Sequence, residues 1–437
     1  MKYRKSAFTC QRDALTIRGF EFLPKVPDSS GAGLSAVIIS HGFMSDHRET
    51  DTYARYFAEK GYAAYTFDFC GGGPKSSSDG LSTDMSVRTE ILDLKSVIHY
   101  VKTRPYIKSG EISLMGCSQG GLVSAVAAGE LPDEIQRLIL FYPAFCIPDD
   151  ARTGRLQGTS YDPVNPPETI TVRKMKIGRI YPLDARNINV YEEILPFRGP
   201  VLILHGTADP VVNIGYSRQA WLTYTEDRPP AWTEESLVPG EVPGTSQVEK
   251  CPSGGPDEFL PLPALSPGVN PRADRQLMQI SGGVHGFLLD RRNHPKSLTA
   301  LDEFLKGYTE VLTIDVQLTG REQQTRGLRT HLELPFTGCG NSPWFQGAIC
   351  PGAKDVQEIF WIRAQSKRAD YTLEGHDYTG APCRVHIINE GAGTAWKPTV
   401  TTDSPALAFL NSADCDALVE PRRSGPLVRI YARVQTW

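Results

Sequence analysis

The sequence predicts a doubly wound, mostly parallel α/β domain with a cap insertion, followed by a separate all-β, barrel-like domain. Three observations predict it. Up to about residue 309, short and nearly all-apolar runs alternate with amphipathic ones. Two long stretches, at about 146–192 and 225–272, interrupt that rhythm. From about 310 the apolar period falls to two. A chain of 437 residues exceeds one ordinary domain, so the expected units are 1–309 and 310–437.

The apolar runs at 35–40, 63–68, 112–115, 137–142, 201–205 and 277–280 are each followed closely by Gly, Pro or Asp. That is how strands covered on both faces of a parallel sheet look. Residues 51–60 and 86–102 carry apolar side chains at helical spacing. Alternating β and α elements imply a doubly wound sheet. The stretch 146–192 is too long for a normal crossover and holds a helix-like segment near 172–180, so it is expected to cap the strand ends. The stretch 225–272 is rich in Pro and Gly and is expected to be a mobile surface insertion. Alternation at 311–318, 384–388 and 427–434 predicts antiparallel strands, closed or sandwiched.

Composition narrows the function. Hydrophobic residues make up 40% and charged residues 22%, as in a globular protein. The net charge is −4 and no basic stripe stands out, which argues against a nucleic-acid partner. The N-terminus carries no apolar signal-like core, and no apolar run approaches spanning length, so a cytoplasmic protein with no membrane partner is expected. Nine scattered cysteines without a Cys-x-x-Cys pair suggest reduced thiols rather than a disulfide framework or a zinc site. No metal or other cofactor is expected.

The stretch Gly116-Cys117-Ser118-Gln119-Gly120 follows an apolar run and precedes the small-residue segment 121–128. Strand, G-x-S-x-G, helix is the nucleophile elbow of an α/β-hydrolase, with Ser118 as the nucleophile. The turn is so tight that side chains at 116 and 120 would collide with neighbouring backbone. A serine hydroxyl needs a base within hydrogen-bond reach, itself oriented by an acid. In this fold the chain order is Ser, acid, His. Asp209, in His205-Gly206-Thr207-Ala208-Asp209-Pro210, and His285, in Gly283-Val284-His285-Gly286, follow that order on loops at strand ends. An Asp before Pro can also be a plain turn former, and His285 a surface histidine. Asp290 is an alternative acid, but it follows His285. His41 and His205 also end strands before glycine and are read as structural. The oxyanion hole needs two backbone N–H groups, expected from Gln119 and Phe43. The base must be neutral to act, so the rate is expected to fall as pH drops through about 6 to 7.

At these residues the chain resembles the cinnamoyl (feruloyl) esterases of the α/β-hydrolase superfamily. The resemblance rests on His41-Gly42-Phe43, Phe67-Asp68-Phe69, Cys117-Ser118-Gln119-Gly120-Gly121, the cap stretch 157–163, His205 to Val212 and His285-Gly286-Phe287, and covers about 15–308 apart from the insertion. It implies hydrolysis of ferulate, caffeate or p-coumarate esters, with the phenolic ring clamped by the cap. It aligns Asp150 with the aspartate that binds the ring hydroxyl and Gln157 with a neighbouring polar contact. Read plainly, Asp149 and Asp150 are a solvated turn. The chain departs from the family at Cys117, where histidine is usual, at Cys70-Gly71-Gly72-Gly73, and at the insertion before His285. The C-terminal part, at Trp344-Phe345-Gln346-Gly347, Asp370-Tyr371-Thr372-Leu373-Glu374-Gly375 and Arg384-Val385-His386-Ile387, resembles a family of small uncharacterised β-barrel domains with no agreed function; the domain is read as a packing, dimerising or ligand-binding module, through which a homo-oligomer could form. The alternatives are a serine hydrolase of other small esters, a peptidase-like hydrolase, or a non-catalytic binding protein on a hydrolase fold.

Overall fold

The computed structural model describes residues 3–25, 33–227, 262–263, 265–266, 269–286, 294–361, 363–392, 395–422 and 425–434. The chain divides into two compact units, Met1–Thr233 with Leu277–Arg291, and Glu234–Gln276 with Arg292–Trp437. The expected insertion at 225–272 lies largely outside the described residues, as do Phe287 and Asp290.

The first unit opens with β1 (Tyr3–Arg12) and β2 (Leu15–Pro24), then β3 (Leu34–Ser40), α1 (Asp51–Glu59), β4 (Ala63–Phe67), α2 (Val87–Lys102), β5 (Ile107–Cys117), α3 (Gln119–Glu130) and β6 (Arg137–Phe141). The cap follows: α4 (Ile147–Arg152), β7 (Arg155–Leu156), β8 (Thr159–Ser160), β9 (Thr169–Val172), β10 (Met175–Gly178), α5 (Ile180–Ala185) and α6 (Val190–Glu193). The unit ends with β11 (Val201–Gly206), α7 (Ile214–Glu226) and, from Leu277 on, β12 (Arg275–Ile280). One eight-stranded sheet runs β1-β2-β4-β3-β5-β6-β11-β12. The ladders among β4, β3, β5, β6 and β11 are parallel, and β1 and β2 add an antiparallel edge. Strands β3, β4 and β6 are nearly all buried, which explains their unbroken apolar runs.

The chain leaves β3 toward β4 on one side and returns as β5 on the other. That reversal makes the β3–β5 boundary a topological switch point, where open α/β sheets bind ligands at the strands' carboxyl ends. The α2 start is fixed by a capping box between Ser86 and Thr89.

Two expectations need correcting. The segment near 172–180 is not helical: β9 and β10 form an antiparallel hairpin, and the helix α5 starts only at Ile180. The alternation of buried Ile170, Val172, Met175 and Ile177 with exposed neighbours is a strand pattern, but the four-residue strands are too short for periodicity to separate the two. Seven cysteines are free thiols, but Cys339 is disulfide-bonded. Pairing follows proximity in the fold, which sequence spacing does not reveal.

The second unit contains α8 (His294–Lys306) and β13 (Tyr308–Leu318), β14 (Glu322–Arg326), β15 (Arg329–Asn341), β16 (Phe345–Ile349), β17 (Lys354–Phe360), β18 (Arg363–Asp377), β19 (Pro382–Ala392), β20 (Ala395–Thr402), β21 (Cys415–Glu420) and β22 (Leu427–Arg433). Its ladders are antiparallel, in the order β20-β19-β18-β16-β15-β13-β22-β21, with β17 filling the gap between β15 and β18. Lys397 of β20 pairs with Asp414 and with Asp416 of β21, where the sheet closes into a small barrel. Leu312, Ile314, Phe345, Leu373, Val385, Ile387 and Ile430 fill its core.

Candidate active site

Ser118 sits between the last residue of β5 and the first of α3, with φ 52° and ψ −120°. A non-glycine residue there is strained, and the surroundings hold it: its N–H donates to the Phe141 carbonyl at 3.0 Å, and its own carbonyl accepts from Gly121 at 2.9 Å and Ala144 at 2.9 Å. The flanking glycines are steric necessities. A Cβ at Gly116 would stand 2.1 Å from the Gly120 carbonyl oxygen, and one at Gly120 would stand 2.4 Å from that of His41.

Two loops meet over this serine. The loop after β11 carries Asp209, and the loop after β12 carries His285. Backbone bonds tie them together: Thr207 N–H to the Ile280 carbonyl (2.9 Å) and Ala208 N–H to the Gly283 carbonyl (3.0 Å). The approach at Gly206 is so close that a Cβ there would lie 2.1 Å from the Gly283 oxygen. His285 Nε2 lies 3.0 Å from Ser118 Oγ, and its Nδ1 lies 2.8 Å from Asp209 Oδ2. The three sequence-predicted residues are thus in one hydrogen-bonded chain. The Tyr142 ring packs edge-on against the imidazole, with centroids 4.7 Å apart.

The Asp209 side chain is buried and surrounded by donors. Its Oδ1 accepts from the amides of Val211 (2.8 Å) and Val212 (3.0 Å). Oδ2 meets His285 and also His205 Nε2, at 3.2 Å. Burial pushes the carboxyl up, but hydrogen bonds from His205, His285 and the Val212 amide outweigh it and hold Asp209 well below the usual range. His205, read from sequence as structural, therefore touches the acid. Its Nε2 faces only oxygen acceptors, the Val212 carbonyl at 3.0 Å and Asp209, so that nitrogen carries the proton and Nδ1 accepts from Ser217 Oγ at 2.7 Å.

The loop after β3 supplies the other wall. A Cβ at Gly42 would come within 3.3 Å of Ser118 Cβ, so the main chain of this loop runs beside the hydroxyl. The Gly42 N–H is held by Glu49 Oε2 at 2.9 Å. His41 accepts from the Phe69 N–H at Nε2 and donates from Nδ1 to the Gly42 carbonyl (2.8 Å), so it fixes the loop. Phe43 and Gln119 both line the cavity over Ser118. The Gln119 side chain is locked: Nε2 donates to Glu90 (2.8 Å), and Oε1 accepts from Tyr181 of α5 (2.5 Å). Burial raises Glu90 well above the usual carboxyl range.

The cavity holds about 420 Å³ and is roofed by the cap, with Ile147, Asp150, Ala151, Leu156, Gln157 and Tyr181 among its lining. Asp150 and Gln157 thus share one cavity with Ser118. Burial raises the Asp150 carboxyl, opposed by a hydrogen bond with Cys146 and by the charge of Arg155. Asp149 faces elsewhere, to Arg152 (2.7 Å) and Tyr216 (2.9 Å). The sequence reading missed Arg155, Tyr181, Glu90 and Glu49; no local motif marks them, and Glu90 and Tyr181 reach Gln119 across 29 and 62 positions.

One group of described residues, Asp46, His47 and Asp68, has ligand atoms within 4.8 Å of one another. Its carboxylates are already engaged, Asp46 by Arg48 and Asp68 by His47 and Ser77. No helix among the described residues is long and apolar enough to cross a membrane.

Residues 33–162 match the family described as serine aminopeptidase, S33. No curated protein sequence matches the chain. Among solved structures, Est1E from Butyrivibrio proteoclasticus with ferulic acid bound is similar at 23% identity and a TM-score of 0.52, over 68% of this chain and 98% of that one. Est1E in a second structure gives 22% identity and a TM-score of 0.50, over 69% and 98%. The strand order, the elbow and these similarities together make the N-terminal unit an α/β-hydrolase fold.

Proposed function

We propose that the chain is a serine carboxylic-ester hydrolase that works through an acyl-enzyme, with residues 1–309 as its catalytic domain. The observation that carries this reading is the continuous contact chain from Asp209 through His285 to Ser118 Oγ, at 2.8 and 3.0 Å. In this reading Ser118 Oγ attacks the ester carbonyl while His285 Nε2 takes its proton. Backbone N–H groups of Phe43 and Gln119 stabilise the oxyanion. His285 returns the proton to the departing alcohol, then activates water to release the acid. Asp209 stays ionised throughout, holds the imidazole in the Nδ1–H tautomer and balances the cation that forms.

For the acyl group, we propose a hydroxycinnamate: ferulate, caffeate or p-coumarate. The cavity holds about 420 Å³, and the Phe43 and Tyr181 rings lie 5.5 Å apart on its wall. Asp150 and Gln157 give its lining polar groups for a ring hydroxyl. Est1E, of similar fold, has been solved with ferulic acid. The second reading is a peptidase-like hydrolase, favoured by the family that 33–162 match. The test compares methyl ferulate, p-nitrophenyl butyrate and leucine anilide as substrates. Preference for ferulate, lost in Ser118→Ala, supports the first reading; preference for the anilide supports the second.

A further inference from the structure

The end of the β unit formed by β14, β15, β17 and β18 carries features that the hydrolase reading does not use. In register, Arg326 of β14 stands opposite Arg329 of β15, Arg329 opposite Phe360 of β17, and Phe360 opposite Arg363 of β18. The positions 326, 329, 360 and 363 therefore form one row of strand register across the sheet's end. Two turns project beyond this row. Leu328 is in the first and Trp361 in the second, and the Trp361 N–H donates to the Leu328 carbonyl at 2.6 Å, so the turns are joined. Leu328 is 60% exposed, Phe360 45% and Trp361 72%.

Trp361 has φ 58°. That left-handed conformation suits glycine and strains a bulky residue, so a large aromatic here is retained against its conformational cost. A tryptophan ring in water also forgoes a large burial gain. Arg326 and Arg329 are exposed, and neither is paired with a described carboxylate.

From these observations we infer that this tip docks on an anionic lipid surface. Trp361, Leu328 and Phe360 enter the boundary between headgroups and acyl chains, and Arg326 and Arg329 meet the lipid phosphates. The combination matches both layers of such a surface: amphipathic aromatics settle at the headgroup level, and arginines gain from the negative potential outside it. A second protein fits less well. Two joined turns offer a small convex apolar tip, whereas stable protein interfaces bury about 800 Å² on each side. A second copy meeting tip to tip would also oppose arginine to arginine. The proposal needs no spanning helix, so it is compatible with the lack of one among the described residues.

The test is flotation of the full chain with phosphatidylcholine vesicles with and without phosphatidylglycerol, at low and high salt. Binding is expected only to the anionic vesicles and should weaken with salt. Arg326→Glu with Arg329→Glu should weaken it at least thirtyfold, from about fivefold per arginine removed. Trp361→Ala should weaken it about tenfold or more and abolish the blue shift of tryptophan emission on binding. Urea midpoints and fluorophosphonate labelling of each variant should match the wild type, which separates lost docking from lost folding. Equal binding to neutral vesicles, no binding, or binding that survives both variants overturns the proposal. So does a concentration-dependent dimer that Trp361→Ala dissolves without any vesicle binding.

Discussion

His205 Nε2 lies 3.2 Å from the same Asp209 oxygen that meets His285. The acid of the proposed relay is thus held by two imidazoles, and the second is buried behind it and anchored by Ser217. Removing that donor should let Asp209 turn and should weaken its hold on His285. His205→Ala is expected to lower kcat by about tenfold to a hundredfold, from the 1.5–3 kcal/mol of a hydrogen bond to a charged group. KM should change little. Ser217→Ala should give a smaller loss in the same direction. Steady-state kinetics on methyl ferulate check both.

The strain at Ser118 separates chemistry from stability. Ser118→Ala and Ser118→Gly should both lower kcat by about five to six orders of magnitude, as for other serine nucleophiles. They should differ in folding. Glycine accepts φ 52° and ψ −120° freely, so the Gly variant should be about 1 kcal/mol or more the stabler of the two. Urea denaturation of the two inactive variants reads this difference.

Glu90 predicts an alkaline effect. Its folded-state pKa is raised by burial, so its contribution to stability is fully present below the ordinary glutamate range and is lost as pH rises toward the folded value. Glu90→Gln keeps an acceptor for the Gln119 amide and removes the ionisation. The variant should therefore gain on the wild type steadily as pH rises from about 5 to 9. Thermal midpoints over that range test it.

Asp209 and Asp68 predict the acid effect. In both, burial raises the pKa but hydrogen bonds outweigh it, from two histidines and an amide on Asp209 and from His47 and Ser77 on Asp68. A depressed pKa contributes stability that is present above the unfolded value, about 3.9 for aspartate, and lost as pH falls below it. The contribution of these two carboxylates to the urea midpoint should stay constant between pH 7 and 5 and fall steeply below about 4. Asp68→Asn should flatten that fall.

Asp150 predicts selectivity. Asp150→Ala should cut kcat/KM for ferulate esters by about tenfold, one hydrogen bond's worth, yet leave the unhydroxylated cinnamate ester nearly unchanged. Equal losses on both esters would remove Asp150 from substrate recognition.

Much of the first unit's architecture was legible because it is local. Unbroken apolar runs mark buried strands, and G-x-S-x-G marks a turn whose sterics leave few other sequences. Asp209 and His285 could be picked out because each follows a strand in the order this fold demands. The N-terminal strands β1 and β2 went unread: they form the sheet's edge, and β1 buries only Phe8, so no clean period appears. The groups that tune the site were hidden for another reason. Glu90 reaches Gln119 across 29 positions and Tyr181 reaches it across 62, and each alone looks like an ordinary helix residue. The row at the β unit's end is likewise spread over 326, 329, 360 and 363 and becomes a row only through strand register.

The most direct test is mass spectrometry of the full chain after exposure to a fluorophosphonate. Only a serine activated by a neighbouring base reacts readily. One adduct is expected, on Ser118, absent in Ser118→Ala and formed at least a hundredfold more slowly in His285→Ala, the low end for general-base assistance. No adduct, an adduct on another residue, or an unchanged rate in His285→Ala would contradict the relay from Asp209 through His285 to Ser118.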